Sequence, residues 1–461
     1  MPITMEIETL NNSFSIRLLS LFKRLNAVVF YRIAFGVMIA LSIIRFWLNG
    51  WIEKIYITPS FHFSYYGFEW VRALGETGMY AIYIAMFLSA IFIALGLLYR
   101  FSSIVFFATF TYVELIEKSI YLNHYYFISI IALLLCFIPA HKQFSLDVKF
   151  GITKPLEIFP RWMSLALQLQ MATVYFFAGI AKINYDWLFN AMPLKLWLPT
   201  KTNLPFVGAW LSETWLAYLF SWCGMLFDTL IPFFLFWRKT KYLAYAVVVI
   251  FHALTAILFP PIGMFPFIMM VCAIVFIIPI QQEKNQANTF SLRKFLGFAP
   301  SIFGRVGIAL FVLHFSFQFL FPFRYLMYPK DLFWHEQGFR FSWRVMLMEK
   351  AGMATFHVKE KNSNRIVAIR NSDYLTQQQE KQMCTQPDMI LQFAHHLAWI
   401  YQKLGWENPE IYVENYVTLN GEGSRLLINP SVNLAAEQDG FSNKKWILPY
   451  NIEQQKLVGA L

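Results

Sequence analysis

A small set of ionisable side chains interrupts the apolar runs of this chain: Arg32, Arg45, Glu114, Glu117, His124, Lys182, Asp186, Asp228, His252 and His314. Each costs roughly 2–4 kcal/mol to place in a bilayer helix, so each marks either a functional site or a structural device. The structural alternatives are a salt bridge, a snorkelling stem or a satisfied core histidine. Lys182 stands apart. It lies in "FFAGIAKINYDWL" (176–188), at the end of an apolar run. Burial disfavours an ammonium, and a neutral amine is a usable general base. Asp186 follows four residues later, on the same face if the helix continues. Close pairing would keep the lysine charged. Two readings stay open: an idle ion pair, or a base whose partner points elsewhere.

The elements that must position these groups are membrane helices. The chain has 461 residues, 57% of them hydrophobic and 14% charged, with mean hydropathy +0.47. Soluble domains carry about 25% charged residues. The fold class expected is mainly α, a polytopic membrane helix bundle followed by a small α+β extramembrane domain. Apolar runs of about twenty residues suffice to span. They are expected over 27–48, 78–98, 101–120, 124–140, 163–182, 210–237, 241–259, 262–280 and 304–322, which makes about nine spans. The first run is expected to stay as a span and not to be cleaved as a signal peptide. Before it, "SFSIRLLSLFKRLN" (13–26) has the pattern of an amphipathic interfacial helix. "IYITPSFHFSYYGFEWVRALG" (55–75) reads as an aromatic lid or re-entrant piece.

The division expected is 1–322 for the transmembrane catalytic domain and 323–461 for the α+β domain. In the latter, "RIVAIRN", "EIYVENYVTLN" and "SRLLINP" read as strands. "DYLTQQQEKQMCTQPDMILQFAHHLAWIYQKLGW" reads as a polar start followed by a helix. The net charge of +11 fits basic loops better than nucleic-acid binding, because no nucleic-acid motif accompanies it. Lys and Arg are more frequent in the loops on the amino-terminal side. That places the amino terminus in the cytoplasm and the carboxy-terminal domain in the periplasm or lumen. Cys136, Cys223, Cys272 and Cys384 lack metal-ligand spacing, and no cluster demands a metal. A transporter would need paired inverted halves with matched broken helices, which the sequence does not show.

Seven blocks in order resemble the vitamin K-dependent gamma-carboxylases and their shorter bacterial relatives. They are "YRIAFG" (31–36), "ALGLLYRFSSIVFF" (94–107), "IEKSIYLNHYYF" (116–127), "FFAGIAKINYDWL", "FHALTAILFPPIGMF" (251–265), "WHEQGFRFSWRVML" (334–347) and "PEIYVENYVTLNGEGSRLLINPSVNL" (409–434). The resemblance implies that Lys182 is the base toward vitamin K hydroquinone (menaquinol or phylloquinol). Oxygen then adds, and a strongly basic alkoxide removes the γ-proton of a protein glutamate. The carbanion takes up carbon dioxide, and the quinone epoxide is released. A dry cavity would protect both strong bases from water.

The resemblance also implies that His124 supports the oxygenated intermediate and that His252 lines the pocket. "GFRFSW" (338–343) matches the glutamate-substrate region, where Phe341 replaces the tyrosine of the animal enzymes. Arg340 is a candidate carboxylate clamp by its charge and fork geometry. Trp343 reads as packing, and Asn123 as either an orienter of His124 or a helix cap. Ala181 stands where the family has a first lysine, which leaves one amine for the role. The chain stops soon after "INPSVNL", so no propeptide-docking extension of the animal kind is expected. The partners implied are the bilayer, a reduced vitamin K quinone and a Glu-containing protein or peptide. A bacterial inner membrane is the expected location. Two other functions compete: a quinol epoxidase without a peptide substrate, and a non-catalytic quinone-binding membrane protein.

Overall fold

The computed structural model describes residues 26–278, 297, 301–329, 331–363 and 365–451. The interfacial helix expected over 13–26 lies outside the described residues except for Asn26. The long helices of the first part are α1 (Ala27–Leu48), α2 (Gly75–Leu95), α3 (Tyr99–Ile116), α4 (Asn123–Phe137), α5 (Arg161–Ala181), α6 (Thr214–Phe236), α7 (Lys241–Leu258), α8 (Phe265–Ala273) and α9 (Ile302–Leu320). Asn26 caps α1, its side chain accepting from Val28 N at 3.0 Å.

Nine spans were expected, and six segments among the described residues are long and apolar enough: Ala27–Leu48, Gly75–Leu95, Arg161–Ala181, Thr214–Phe236, Lys241–Leu258 and Gly304–Met327. The other three expected segments are helical but fall short. Helix α3 carries Arg100 and Glu114, while α4 has 15 residues and α8 has nine. A helix needs about twenty residues to cross the hydrocarbon.

Arg32 illustrates the structural use of a buried charge. It is fully buried, and its guanidinium donates to the carbonyls of Ile93 (2.9 Å), Ala94 (3.0 Å) and Phe144 (2.7 Å). It therefore gives a donor to Ala94 O at the end of α2, a second donor to Ile93 O, which also accepts from Gly96 N, and a donor to Phe144 O in the loop beyond. Glycine serves a different purpose between α5 and α6. A Cβ on Gly179 would sit 2.7 Å from Thr229 Cα, so only glycine allows the two backbones to approach this closely.

After α9 the chain forms an antiparallel sheet of order β2-β1-β3-β4: β1 (Lys350–Glu360), β2 (Ile366–Ala368), β3 (Pro409–Leu419) and β4 (Arg425–Leu426). The three strand segments read from sequence hold β2, β3 and β4, while β1 was missed. The two long strands pair along their full length, from Lys350↔Leu419 to Glu360↔Pro409. Ile411, Val413, Val417 and Leu419 alternate on the buried face of β3. Helix α10 (Pro387–Lys403) covers that face with Met389, Ile390, Phe393 and Leu397. The single helix read from sequence is two: Pro387 starts α10, and a capping box at Thr376 starts the shorter helix Gln377–Met383 before it.

The segment 55–75 is not a span. It runs beneath the α+β domain and holds it to the bundle. Phe63 O accepts from Lys118 N at 2.6 Å, the Phe61 ring stacks on His396 at 4.1 Å, and Gln392 donates to Ser64 Oγ at 2.9 Å. Beside it, Asp388 of α10 accepts from Lys118 Nζ (2.8 Å) and Arg340 Nη1 (2.6 Å). Burial works against the Asp388 carboxylate, but Arg340 and then Lys118 outweigh it and hold the carboxyl well below the usual range.

Two outcomes follow from this packing. Gly179→Val should separate α5 from α6 and destabilise the bundle by about 1–3 kcal/mol, read as a lower thermal midpoint in detergent. Asp388→Asn should leave two buried cations short of a partner and cost about 3–5 kcal/mol. A depressed carboxyl contributes its stability above its unfolded range and loses it as pH falls through the folded value. The midpoint difference between Asp388→Asn and the unsubstituted protein should therefore stay constant from about pH 8 to pH 5 and shrink only in stronger acid.

Candidate functional site

Helix α5 ends at Ala181, and Lys182 is its C-cap residue. The helix does not continue to Asp186, so the two side chains do not share a face. Asp186 accepts instead from Asn190 Nδ2 at 3.1 Å and from Asn420 Nδ2 at 3.0 Å, which ties the bundle to the end of β3. The partner of Lys182 is Asp228 of α6, with Nζ 2.7 Å from Oδ2. Both residues are buried, at 5% and 6% exposure. The same amine also donates to Ala178 O at 3.3 Å and lies 5.3 Å from the Trp187 ring. Trp187 is fixed by its indole N–H, which donates to Ser221 O at 2.8 Å.

The pair opens on a cavity of about 110 Å³. Its walls are mostly apolar and include Val174, Phe251, Leu258 and Met269. His252 and Tyr175 also line it. His252 Nε2 is 2.8 Å from the Tyr175 hydroxyl, while its buried Nδ1 has no hydrogen-bond partner. Leu254, another lining residue, is 45% exposed on α7, so on that side a single side chain separates the cavity from the surface of the bundle.

His124 occupies a different chamber. It is buried near the start of α4, edge-on to Tyr125, and it lines a cavity of about 380 Å³ with Lys118, Asn123, Arg340 and Arg344. The two cavities share Phe265, Val345 and Met346 as walls. The Phe265 ring stands between the two histidines, 5.9 Å from His124 and 5.6 Å from His252. Asn123 neither caps the helix nor holds His124. Its amide donates to Arg344 O at 2.6 Å, and its oxygen accepts from the Tyr121 hydroxyl at 2.9 Å.

The segment 338–347 crosses over both chambers. Phe341, Trp343 and Met346 all have positive φ (58°, 59° and 53°), a conformation that costs non-glycine residues about 1–2 kcal/mol each. The segment is held in this form by its surroundings. Phe341 packs among Tyr65, Tyr121 and Tyr126, and its N–H donates to the Tyr121 hydroxyl at 2.8 Å. Trp343 is fully buried and stacks on Tyr126 at 4.8 Å. Arg340 does not present a free fork. Its guanidinium spans both oxygens of Asp388 and also donates to Gln386.

Of the two readings open for Lys182, the pair with Asp186 does not form, and the partner is Asp228. Asp228 was among the costly residues but was given no role. A lone acid in one apolar run and a lone lysine in another are each other's least costly partners, and that signal was present. Tyr175, Asp388 and Arg344 left no comparable mark.

Comparisons with known proteins divide the chain before most of α9, so that helix falls almost entirely within the second match. Residues 23–279 match the HTTM domain, and residues 304–453 match the lumenal domain of vitamin K-dependent gamma-carboxylase. No solved structure matches. Together the two matches cover almost the whole chain, in the order bundle then lumenal-type domain. The chain belongs to the vitamin K-dependent gamma-carboxylase family.

Proposed function

We propose that this protein is a gamma-glutamyl carboxylase that couples oxidation of reduced vitamin K to its epoxide with carboxylation of a protein glutamate. The observation that carries the reading is the buried Lys182–Asp228 pair facing a mostly apolar cavity with one unpartnered histidine nitrogen. Those residues fit a flat apolar ring bearing two hydroxyls: the walls suit the ring, and the polar atoms suit its oxygens. When bound, reduced vitamin K supplies with oxygen the strong base that takes the glutamate γ-proton, after which carbon dioxide adds to that carbon.

The residues of the chain prepare that chemistry. Along the 2.7 Å hydrogen bond, the shared proton can sit on Lys182 Nζ or on Asp228 Oδ2. In a dry site the neutral amine–acid form competes with the ion pair, because it needs no solvation. Lys182 in its amine form would accept a hydroxyl proton from a bound quinol; the shared proton stays on Asp228, and the new ammonium pairs with the quinol oxygen that has lost its proton. A Tyr175 hydroxyl donating to Nε2 leaves the ring proton of His252 on Nδ1, which would then be free to hydrogen-bond an oxygen of a bound quinol. In this reading His124, across the Phe265 wall, supports the oxygen-dependent stage. The walls keep water from both bases. The match to a lumenal-type domain supports a periplasmic or lumenal side for the carboxy-terminal domain.

The test uses protein in nanodiscs with vitamin K hydroquinone, labelled carbon dioxide and a Glu-containing peptide. Labelled peptide and epoxide are both expected; epoxide with unlabelled peptide would leave only the oxygenase activity. Lys182→Ala should lower both products by more than about 100-fold, and an added small primary amine should restore part of each. Full epoxide formation by Lys182→Ala would remove the base assignment. His124→Ala should lower epoxide formation while the affinity for peptide is unchanged, measured by turnover and binding on the same preparation.

A further inference from the structure

Arg344 is 9% exposed, and its Nε has no hydrogen-bond partner. Its guanidinium lies 4.3 Å over the Tyr325 ring and shares a side-chain hydrogen bond with that residue. Among the described residues no carboxylate pairs with it. Its neighbours differ in this respect. Lys118 and Arg340 are both bound to Asp388, Lys350 is bound to Glu336 at 2.7 Å, and Lys381 is exposed. A buried guanidinium without an acid is expensive, and such a group persists where a ligand completes it.

The position suits a ligand. Arg344 lines the His124 cavity of about 380 Å³ and also a second cavity of about 320 Å³ beneath the lumenal-type domain. It therefore stands where a chain entering under that domain would meet the membrane chamber. Its backbone is locked from the other side, since Arg344 O accepts from Asn123 beside His124. Val345 and Met346, the next residues, form the wall toward Lys182. A planar fork with an unpartnered Nε–H and no carboxylate on it matches, at this depth, the two oxygens of a carboxylate.

We propose that Arg344, and not Arg340, receives the side-chain carboxylate of an acidic peptide and holds it in the His124 chamber. This rests on the carboxylase reading for the identity of the ligand, but its test does not require turnover. Protein in nanodiscs, without quinol, is titrated with an N-acetylated, C-amidated peptide carrying one Glu, and with its Gln counterpart. Unsubstituted protein should prefer the Glu peptide by roughly tenfold or more. Arg344→Gln should bring the two affinities to within about twofold, and Arg344→Lys should keep part of the preference. The thermal midpoint of Arg344→Gln should be equal to or above that of the unsubstituted protein, because the change removes an uncompensated buried charge. A residue retained for packing would lose stability instead.

Three results would overturn the assignment: no Glu preference in the unsubstituted protein, a preference that survives Arg344→Gln, or a preference lost in Arg340→Gln but kept in Arg344→Gln. If the Glu preference depends on Arg344 while no labelled carbon dioxide enters the peptide, the anion site stands and the carboxylase reading fails. Carboxylation with an Arg344-independent preference gives the reverse outcome.

Discussion

The fold is organised around one buried ion pair. Lys182 and Asp228 lie on neighbouring helices, 2.7 Å apart at the pair, and neither has access to bulk water. Two charges taken out of water each cost several kcal/mol, and their attraction repays this only in close geometry. That geometry requires α5 and α6 to pack backbone to backbone, which Gly179 against Thr229 permits. It also requires α5 to end at Ala181, so that the lysine turns toward α6 and away from Asp186. The cavity, Trp187 and the Tyr175–His252 pair are arranged around this point.

A second constraint joins the bundle to the α+β domain. Asp388 draws together Lys118 from the α3–α4 connection and Arg340 from the crossing segment. The contacts of residues 55–75 add to the junction. Held from both sides, segment 338–347 keeps three non-glycine residues at positive φ. Strain of this kind persists only where the surrounding structure over-determines the backbone. Its result is that Val345 and Met346 wall the Lys182 chamber while Arg344 faces the His124 chamber. The bilayer side and the lumenal-type domain thus meet at two adjacent compartments, one apolar and one polar.

Much of this was legible in the sequence, for identifiable reasons. Apolar runs of helical length mark a bundle because lipid leaves the backbone few other options. The alternation of Ile411, Val413 and Val417 marks β3. Lys182 was legible because a lysine in such a run is costly. The apolar runs behind α3, α4 and α8 read as full spans because composition does not show where a helix ends or how a polar interruption divides it. Strand β1 was missed because Lys350–Met353 lacks the alternation that appears only at Ala354, Phe356 and Val358. The role of Arg340 was misjudged for a different reason. Its partner Asp388 lies 48 residues away on another element, and no local pattern reveals that its fork is occupied. Pairings between distant elements are what sequence spacing cannot supply, and they decide which cations are spent and which are free.

The central claim is that the Lys182–Asp228 cavity is where a reduced quinone gives up its hydroxyl proton. A structure of the protein determined with a vitamin K quinone bound in a lipid nanodisc tests it most directly. The account predicts the ring between Phe251 and Met269, with one oxygen at hydrogen-bond distance, about 2.7–3.2 Å, from Lys182 Nζ. A quinone bound elsewhere, with Lys182 still closed against Asp228 and the cavity filled only by lipid, would contradict it.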